Sequence, residues 1–267
     1  MTMDERPPKQ IMLQRHPLRY RELQVLRVQT LSPRMRRITL GGDALAGFAS
    51  PAPDDHVRLV FPAPGEAAPI APSTDEHGLH FPDGPLRPAM RDYTPRRCDG
   101  RELDLDFVLH GHGPAASWAA QAAPGMRIGV AGPRGSHLVG VGFDGYVLIG
   151  DETALPAIGR WLETLPAAAP VLCLVEVADA AEQAALAVPP GRTVHWLHRR
   201  EGAPDALLQA LRNAALPPGD RFCWIACESA QMRALRRHLI DDRGQPRAWL
   251  SASGYWKRDT ADHQDEH

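Results

Sequence analysis

The stretch RDYTPR, residues 91–96, decides how this chain folds and what it binds. Its composition predicts a β-strand whose alternation places Arg91, Tyr93 and Pro95 on one face and Asp92, Thr94 and Arg96 on the other. A planar ring, a small hydroxyl and a guanidinium suit a flat, phosphorylated ligand. A flavin nucleotide fits that description, and a plain structural strand is the alternative that these six residues leave open.

The residues that follow add a site for phosphate. Residues 102–110, ELDLDFVLH, alternate apolar with acidic side chains and predict a strand with one buried and one solvent-exposed face. HGHGP, residues 110–114, then leads into an Ala-rich segment, 115–122, that predicts a helix beginning at proline. Free backbone N–H groups at a glycine-led helix start bind anions. This order of strand, strand and helix start could hold a flavin dinucleotide.

The rest of the N-terminal half predicts a closed antiparallel barrel. Short stretches of period-two alternation, such as 57–61, are separated by glycine and proline turns. The alternation changes phase within residues 23–28, which predicts a bulge in the first barrel strand. The proline-rich stretch 62–75 predicts a long, mobile loop.

The pattern changes near Phe143 to buried strands alternating with helices. Strands are predicted at 146–149, 171–177, 193–197, 222–226 and 249–255, with helices following residue 156, around 207–215 and at 230–240. Such a parallel sheet binds ligands at the carboxyl ends of its strands, where 150–153 and 226–229 lie. GxGxxG is absent from both segments. Asp151 and Glu152 are therefore either cofactor ligands or simple caps of a helix start.

Composition narrows the class of protein. The chain has 267 residues, enough for two domains, and its net charge of −2 provides no basic field for nucleic acid or membranes. We see no signal peptide and no apolar run long enough to span a bilayer. Four scattered cysteines are typical of a cytoplasmic protein, and Cys223 with Cys227 lacks the second pair that a metal site needs.

Seven segments, in this order along residues 20–258, resemble the siderophore-interacting protein family, the FAD-dependent ferric-siderophore reductases of the ferredoxin-reductase superfamily. RxYTxR is shared with many flavin reductases, whereas the combination of HGxxGPAxxWA, GDETALPA and the terminal GYW[KR]R is much more specific. The matching segments are MRRITLGG (35–42), RDYTPR (91–96), DFVLHGHGPAASWA (106–119), GVAGPRGS (129–136), GDETALPAI (150–158), ESAQMRALRRHL (228–239) and GYWKR (254–258).

The resemblance implies a two-domain β + α/β protein. An N-terminal antiparallel β-barrel domain would bind FAD over residues 19–140, and a C-terminal doubly wound parallel-sheet domain would bind NAD(P)H over 144–258. Residues 1–18 would form a flexible lead and 259–267 a tail. We expect a monomer.

The implied function is reduction of a ferric siderophore, with electrons passing from NADPH or NADH through FAD to Fe(III). The flavin carries the redox chemistry, so no side chain is expected to act as catalytic acid or base, and no metal site is expected. Two alternatives stay open. One is a general flavin reductase or electron-transfer protein that uses ferredoxin or NAD(P)H, and the other is a non-catalytic carrier of siderophore or flavin.

The resemblance also implies which residues contact the cofactors. Tyr93 and Thr94 would set the flavin ring, while Arg91 and the helix start would hold the pyrophosphate. The full predicted set is Arg91, Asp92, Tyr93, Thr94, Asp106, Val108, His110, His112, Gly113, Pro114, Ala115, Ala116, Ser117, Trp118, Asp151, Glu152, Thr153, Ala154 and Glu228.

Two features affect how NADH or NADPH would bind. Cys227 stands where the family usually has glycine, and a side chain there could narrow the approach of the nicotinamide. Glu176 would disfavour a 2′-phosphate if it faced the ribose, whereas Arg199 and Arg200 could attract one.

Four basic side chains are candidates for binding the substrate. Anionic ferric siderophores would be collected by a positive rim. The candidates are Lys257 and Arg258 in GYWKR, together with Arg36 or Arg37 from the barrel. Lysine at 257 resembles the subgroup that uses a C-terminal lysine in its siderophore pocket.

Overall fold

The computed structural model describes residues 9–76, 78–200 and 205–258, so the tail 259–267 and residues 1–8 of the lead lie outside it. The described residues fall into two compact units, one of residues 13–137 and one of 138–258 together with 9–12. Strand β1, Ile11–Arg15, lies within the segment predicted as a flexible lead.

Seven antiparallel strands form the sheet of the N-terminal unit. They lie side by side in the order β7, β4, β10, β2, β3, β9, β8. A short hairpin, β5 with β6, ends the proline-rich loop, and β11 pairs with β1. The bounds are β2 Tyr20–Ser32, β3 Met35–Gly41, β4 Val57–Val60, β5 Ser73–Asp75, β6 Gly78–His80, β7 Met90–Tyr93, β8 Pro95–Cys98, β9 Glu102–Val108, β10 Arg127–Ala131 and β11 Gly135–Val139.

The RDYTPR segment joins the two opposite edges of this sheet. β7 is one edge strand and β8 the other, and only Thr94 separates them. Because consecutive Cα atoms are about 3.8 Å apart, the sheet must curl until its edges meet there. The prediction of one continuous strand over residues 91–96 is therefore wrong, while the antiparallel barrel domain is confirmed. Pro95 lacks an N–H group and suits the first position of an edge strand.

The interior of this unit is apolar, and the predicted bulge is present. The pairing of β2 with β3 shifts register between Val25 and Arg27, which confirms the phase change seen in the sequence. Helix α1, Pro114–Gln121, begins at the predicted proline and buries Trp118 and Ala119 against the barrel strands. The same cluster contains Leu23, Val25, Ile38, Leu40, Leu59, Leu105, Phe107 and Val130.

The second unit contains a five-stranded parallel sheet, as predicted. Its order is β14, β13, β12, β15, β16. Among the described residues, no helix is long and apolar enough to cross a membrane. The bounds are β12 Gly145–Asp151, α2 Leu155–Thr164, β13 Val171–Val177, β14 His195–His198, α3 Ala206–Asn213, β15 Arg221–Glu228, α4 Ser229–Arg237 and β16 Leu250–Trp256, with a π-helical turn, His238–Asp242, after α4.

The order of these strands creates a switch point between β12 and β15. The chain runs outward from β12 through β13 to β14, and then returns to place β15 on the other side of β12. Ligands of doubly wound sheets bind at the carboxyl ends beside such a point. Backbone there is tightly packed: a Cβ atom at Gly150 would lie 2.5 Å from the Ala154 Cβ and 2.9 Å from the Ala226 carbonyl oxygen. Only glycine fits this position without a shift.

Candidate functional site

Tyr93 lies at the end of β7 with its ring against a buried aromatic side chain. Its centroid is 4.3 Å from that of Phe107, with the planes tilted by 34°. Phe107 in turn lies 5.7 Å from Trp118 of α1. These contacts connect the predicted ring-binding strand to the predicted phosphate-binding helix. Burial raises the pKa of Tyr93, so its hydroxyl stays protonated and can donate a hydrogen bond.

Thr94 occupies the junction between the two edge strands. The residue is only 7% exposed, and its hydroxyl has no hydrogen-bond partner among the residues that the structure describes. A hydroxyl next to an aromatic ring suits the polar edge of an isoalloxazine, and the position of the flavin ring stays a prediction.

The start of α1 has the geometry of a phosphate site. Gly113 has a φ of 82°, a conformation that a side chain would strain, and Pro114 follows as the first helical residue. The first N–H groups of a helix have no partners within it and point toward an anion. Together with Thr94, this helix start fits FAD. His110 and His112 are exposed in the preceding loop, with ring centroids 4.6 Å apart.

Several predicted site residues of the barrel are engaged in ion pairs. Asp92 accepts two hydrogen bonds of 2.9 Å from Arg58, its register partner on β4. Asp106 is buried and accepts bonds of 2.7 and 2.8 Å from Arg37. Arg36 donates to the Ala119 and Ala120 carbonyl oxygens at the end of α1, where a cation is favourable. The predicted ligand roles of these side chains stay predictions.

Arg91 and Val108, both half-buried, complete the barrel set. Arg91 donates to the carbonyl oxygen of Met90 at 2.6 Å, which keeps its guanidinium along β7. Of the helix residues, Ala115 and Ala116 are buried, whereas Ser117 is exposed and its N–H donates to Gly113 O at 3.0 Å.

In the C-terminal unit, Asp151 ends β12 at the switch point and is only 2% exposed. Its carboxylate accepts bonds from the Thr153 N–H at 2.9 Å and from the Thr153 hydroxyl. Asp151 therefore caps the helical turn, which is one of the two roles that the sequence left open for it. Its second oxygen accepts a 2.7 Å bond from the Trp256 indole N–H. Burial, with Glu152 nearby, raises the pKa of Asp151 to about 6.

Arg199, just beyond β14, binds two glutamates. It donates to both oxygens of Glu152 at 2.8 and 2.6 Å and to Glu176 at 3.1 Å. Hydrogen bonding to Glu152 raises the pKa of Arg199, so its charge is permanent. Gln231 of α4 donates to the other oxygen of Glu176 at 3.2 Å. Arg199 and Glu176, which were expected to act in opposite directions on a 2′-phosphate, are therefore partners of one another.

Cys227 does not project from the edge of the sheet. Its side chain is fully buried within the apolar cluster that includes Met232 and Leu235. The expectation that this side chain narrows the nicotinamide approach stays a prediction. The next residue, Glu228, accepts bonds from the Ala230 and Gln231 N–H groups at 2.7 and 3.0 Å and caps α4.

Three residues that shape these sites went unrecognised in the sequence. Arg58 holds Asp92, Phe107 supports Tyr93, and Trp256 holds Asp151. Alternation along β9 does place Phe107 on the inner face, so its role could have been inferred. The other two pairs depend on which strands are neighbours, and the sequence does not show this.

An antiparallel barrel unit followed by a five-stranded parallel sheet is the architecture of the ferredoxin-reductase-like class. Two family models match this chain: "Siderophore-interacting FAD-binding domain" over residues 24–137 and "Siderophore-interacting protein" over 143–259. The chain belongs to the siderophore-interacting protein family.

Named relatives cover nearly the whole chain. The chain is 42% identical to the NADPH-dependent ferric-chelate reductase of Escherichia coli, across 91% of this chain and 94% of that protein. It is 30% identical to the ferric vibriobactin reductase ViuB of Vibrio cholerae, across 92% and 94%. A crystal structure of a siderophore utilization protein from T. fusca superposes with a TM-score of 0.88 at 41% identity, covering 95% of this chain and 98% of that one.

We predict that the ring of Tyr93, and not its hydroxyl, retains FAD. Tyr93→Ala should weaken FAD binding by roughly 1–3 kcal/mol, by analogy with base stacking, and should change the flavin absorbance spectrum. Tyr93→Phe keeps the contact with Phe107 and should retain the flavin. Flavin titration of the two apoproteins measures this. Equal affinities in both variants and wild type would place the ring elsewhere.

We predict that Asp151 makes the folded protein less stable as pH rises, which is the opposite of what a carboxylate with a lowered pKa does. Its pKa is raised on folding, so the folded state binds more protons between about pH 4 and about pH 6, and stability falls as pH rises through that window. Relative to Asp151→Asn, the wild type should lose of order 3 kcal/mol of unfolding free energy across it.

Denaturant unfolding at several pH values measures this difference. Asp205→Asn is the control, because Asp205 is exposed and its side chain makes no capping bond. A difference between wild type and Asp151→Asn that stays constant with pH would contradict the prediction.

Proposed function

We propose that this protein is an FAD-dependent ferric-siderophore reductase that takes electrons from NADPH and releases Fe(II) from the siderophore. The support is the near full-length match to an Escherichia coli protein named NADPH-dependent ferric-chelate reductase, together with both domain matches of the family. The domains that go with this proposal are residues 19–140 for FAD and 144–258 for the nucleotide and substrate.

The barrel residues would hold FAD. Tyr93, supported by Phe107, offers a ring face, and the Thr94 hydroxyl offers a hydrogen bond to the flavin edge. The Gly113–Ser117 helix start, with Arg91, would bind the pyrophosphate. When bound, FAD accepts a hydride and passes electrons on singly, which is chemistry that side chains cannot supply.

The carboxyl edge of the parallel sheet would hold the nucleotide. The turn at 150–154 lies beside the switch point, where dinucleotides bind in doubly wound sheets. Arg199 donates to Glu176 at 3.1 Å, and its guanidinium would turn from the two glutamates to a 2′-phosphate. Glu228 caps α4 and fixes the opposite side of the switch point.

The substrate would be bound by cations of the terminal strand. Lys257 and Arg258 follow β16 and are exposed. Arg36 and Arg37 have partners within the barrel, so they contribute less free charge than the terminal pair. An anionic ferric chelate would meet Lys257 as a mobile point charge.

The proposal extends to partners and location. Ferredoxin is an alternative electron donor, and the protein would act as a monomer. Its four cysteines are free, which fits a reducing cytoplasm.

Anaerobic stopped-flow measurements test the function. NADPH should bleach the bound FAD, and a ferric catecholate should then restore its absorbance while a ferrous chelator reports Fe(II). A flavin that NADPH reduces but that no ferric chelate reoxidises would identify a general flavin reductase instead. A bound flavin that is not reduced by NADPH, NADH or ferredoxin would identify a carrier.

We predict that Lys257 acts on the substrate and not on the flavin. Lys257→Ala should raise the KM for anionic ferric chelates by up to about fivefold, the size expected of one exposed charge pair. FAD content and reduction by NADPH should stay near wild type. The effect should shrink at high ionic strength and be small for a cationic ferric hydroxamate.

Two variants control for net charge. Arg233→Ala removes an exposed cation from α4 and should have little effect. Lys257→Arg retains the charge and should restore most of the affinity. An equal loss for anionic and cationic chelates, or a loss of FAD, would show that Lys257 supports structure.

A further inference from the structure

Lys257 lies between two residues that are each fixed to a carboxylate. Before it, the indole N–H of Trp256 donates to Asp151 Oδ2 at 2.7 Å. After it, the backbone N–H of Arg258 donates to Glu228 Oε1 at 3.4 Å. A residue beyond the last strand of a domain is ordinarily free to fray. These two bonds hold the backbone of Lys257 at the carboxyl edge of the sheet.

Both acceptors are themselves held in place. The other oxygen of Asp151 accepts two bonds from Thr153. The other oxygen of Glu228 caps α4 by accepting from the Ala230 and Gln231 N–H groups. The anchors of the terminal segment are therefore the last residues of β12 and β15, the two strands on either side of the switch point.

The Lys257 side chain is left available by this arrangement. It is exposed, and its ammonium makes no hydrogen bond or ion pair within the described residues. The neighbouring carboxylates already have partners: Asp151 has Thr153 and Trp256, and Glu152 has Arg199. A lysine with a fixed backbone and no intramolecular partner can present its charge to a ligand.

We propose that Trp256 is a positioning residue that acts through Asp151 to hold Lys257 where it meets the ferric chelate. The proposal rests on the proposed function for its substrate and on the 2.7 Å indole–carboxylate bond for its geometry. A hydrogen bond to an ionised acceptor is among the stronger ones, and this acceptor is buried away from competing water. The indole thereby connects the GYWKR segment to the GDET segment.

Trp256→Phe tests this, because it keeps an aromatic ring and removes only the indole N–H with part of the ring. Trp161→Phe is the matched control. Trp256 is half-buried and Trp161 is buried, and the Trp161 Nε1 has no hydrogen-bond partner among the described residues. The same chemical change there breaks no bond.

Trp256→Phe should reproduce most of the rise in KM that Lys257→Ala causes for a ferric tris-catecholate. The KM for a cationic ferric hydroxamate and the FAD content should stay near wild type. The double variant Trp256→Phe/Lys257→Ala should be no worse than Lys257→Ala alone, because both changes remove the same interaction. Losses that multiply in the double variant, or that are equal for both chelates, would overturn the proposal.

A second readout needs no turnover. Trypsin cleaves after Lys257, and release of the anchor should speed that cleavage several-fold in Trp256→Phe but not in Trp161→Phe, because proteolysis follows local opening. An unchanged rate of cleavage would overturn the anchoring role even if KM changed.

The two proposals fail in different ways. A wild-type protein that reduces no ferric chelate refutes the proposed function and, with it, the substrate role of the anchor. If the wild type reduces ferric chelates but Trp256→Phe leaves the KM values for the anionic and the cationic chelate unchanged, only the positioning role is refuted.

Discussion

The single-residue connection at Thr94 is the constraint on which the N-terminal unit depends. Edge strands β7 and β8 are as far apart as the sheet order allows, yet the chain passes from one to the other through one residue. The curvature of all seven strands follows from this link, because the edges must approach to within a few ångströms. The same link places Tyr93 and Thr94 where the two edges meet, which is where the flavin ring is predicted to bind.

Much of this architecture could be predicted from the chain alone. Alternation of apolar and polar residues predicted the barrel strands and the bulge near Val25, because those strands are buried on one face. Continuous apolar runs predicted the parallel strands, because these are buried on both faces. The break at Thr94 was missed, since a strand that ends and one that begins share the same residue types. Trp256 and Asp151 are 105 positions apart, and nothing in local pattern connects them.

Cys227 shows a second limit of sequence reasoning. A residue that replaces glycine at a ligand-binding edge invites the inference that its side chain enters the site. At the end of a parallel strand, however, successive side chains alternate between the two faces. Position 227 falls on the face covered by α4, so the thiol packs into the apolar cluster there. Burial raises the pKa of this thiol, and Asp151, Glu228 and Glu176 are near enough to add to that effect, so the thiol lies between that cluster and the acidic edge. The direction of a side chain depends on strand phase, which one shift in register reverses.

Electrostatics at the carboxyl edge explains why the terminal segment needs an anchor. Asp151, Glu152, Glu176 and Glu228 meet there, and Arg199 is the cation that pairs with two of them. Such an edge would repel an anionic nucleotide or chelate. Burial opposes the ionisation of Asp151, and the other carboxylates are occupied by bonds to arginine, amide and backbone groups. The segment after β16 adds Lys257 and Arg258 to this edge. Glu228 accepts from the Arg258 backbone N–H and Asp151 accepts from the Trp256 indole, so two of the acidic groups that would repel an anion also hold the segment that carries these cations.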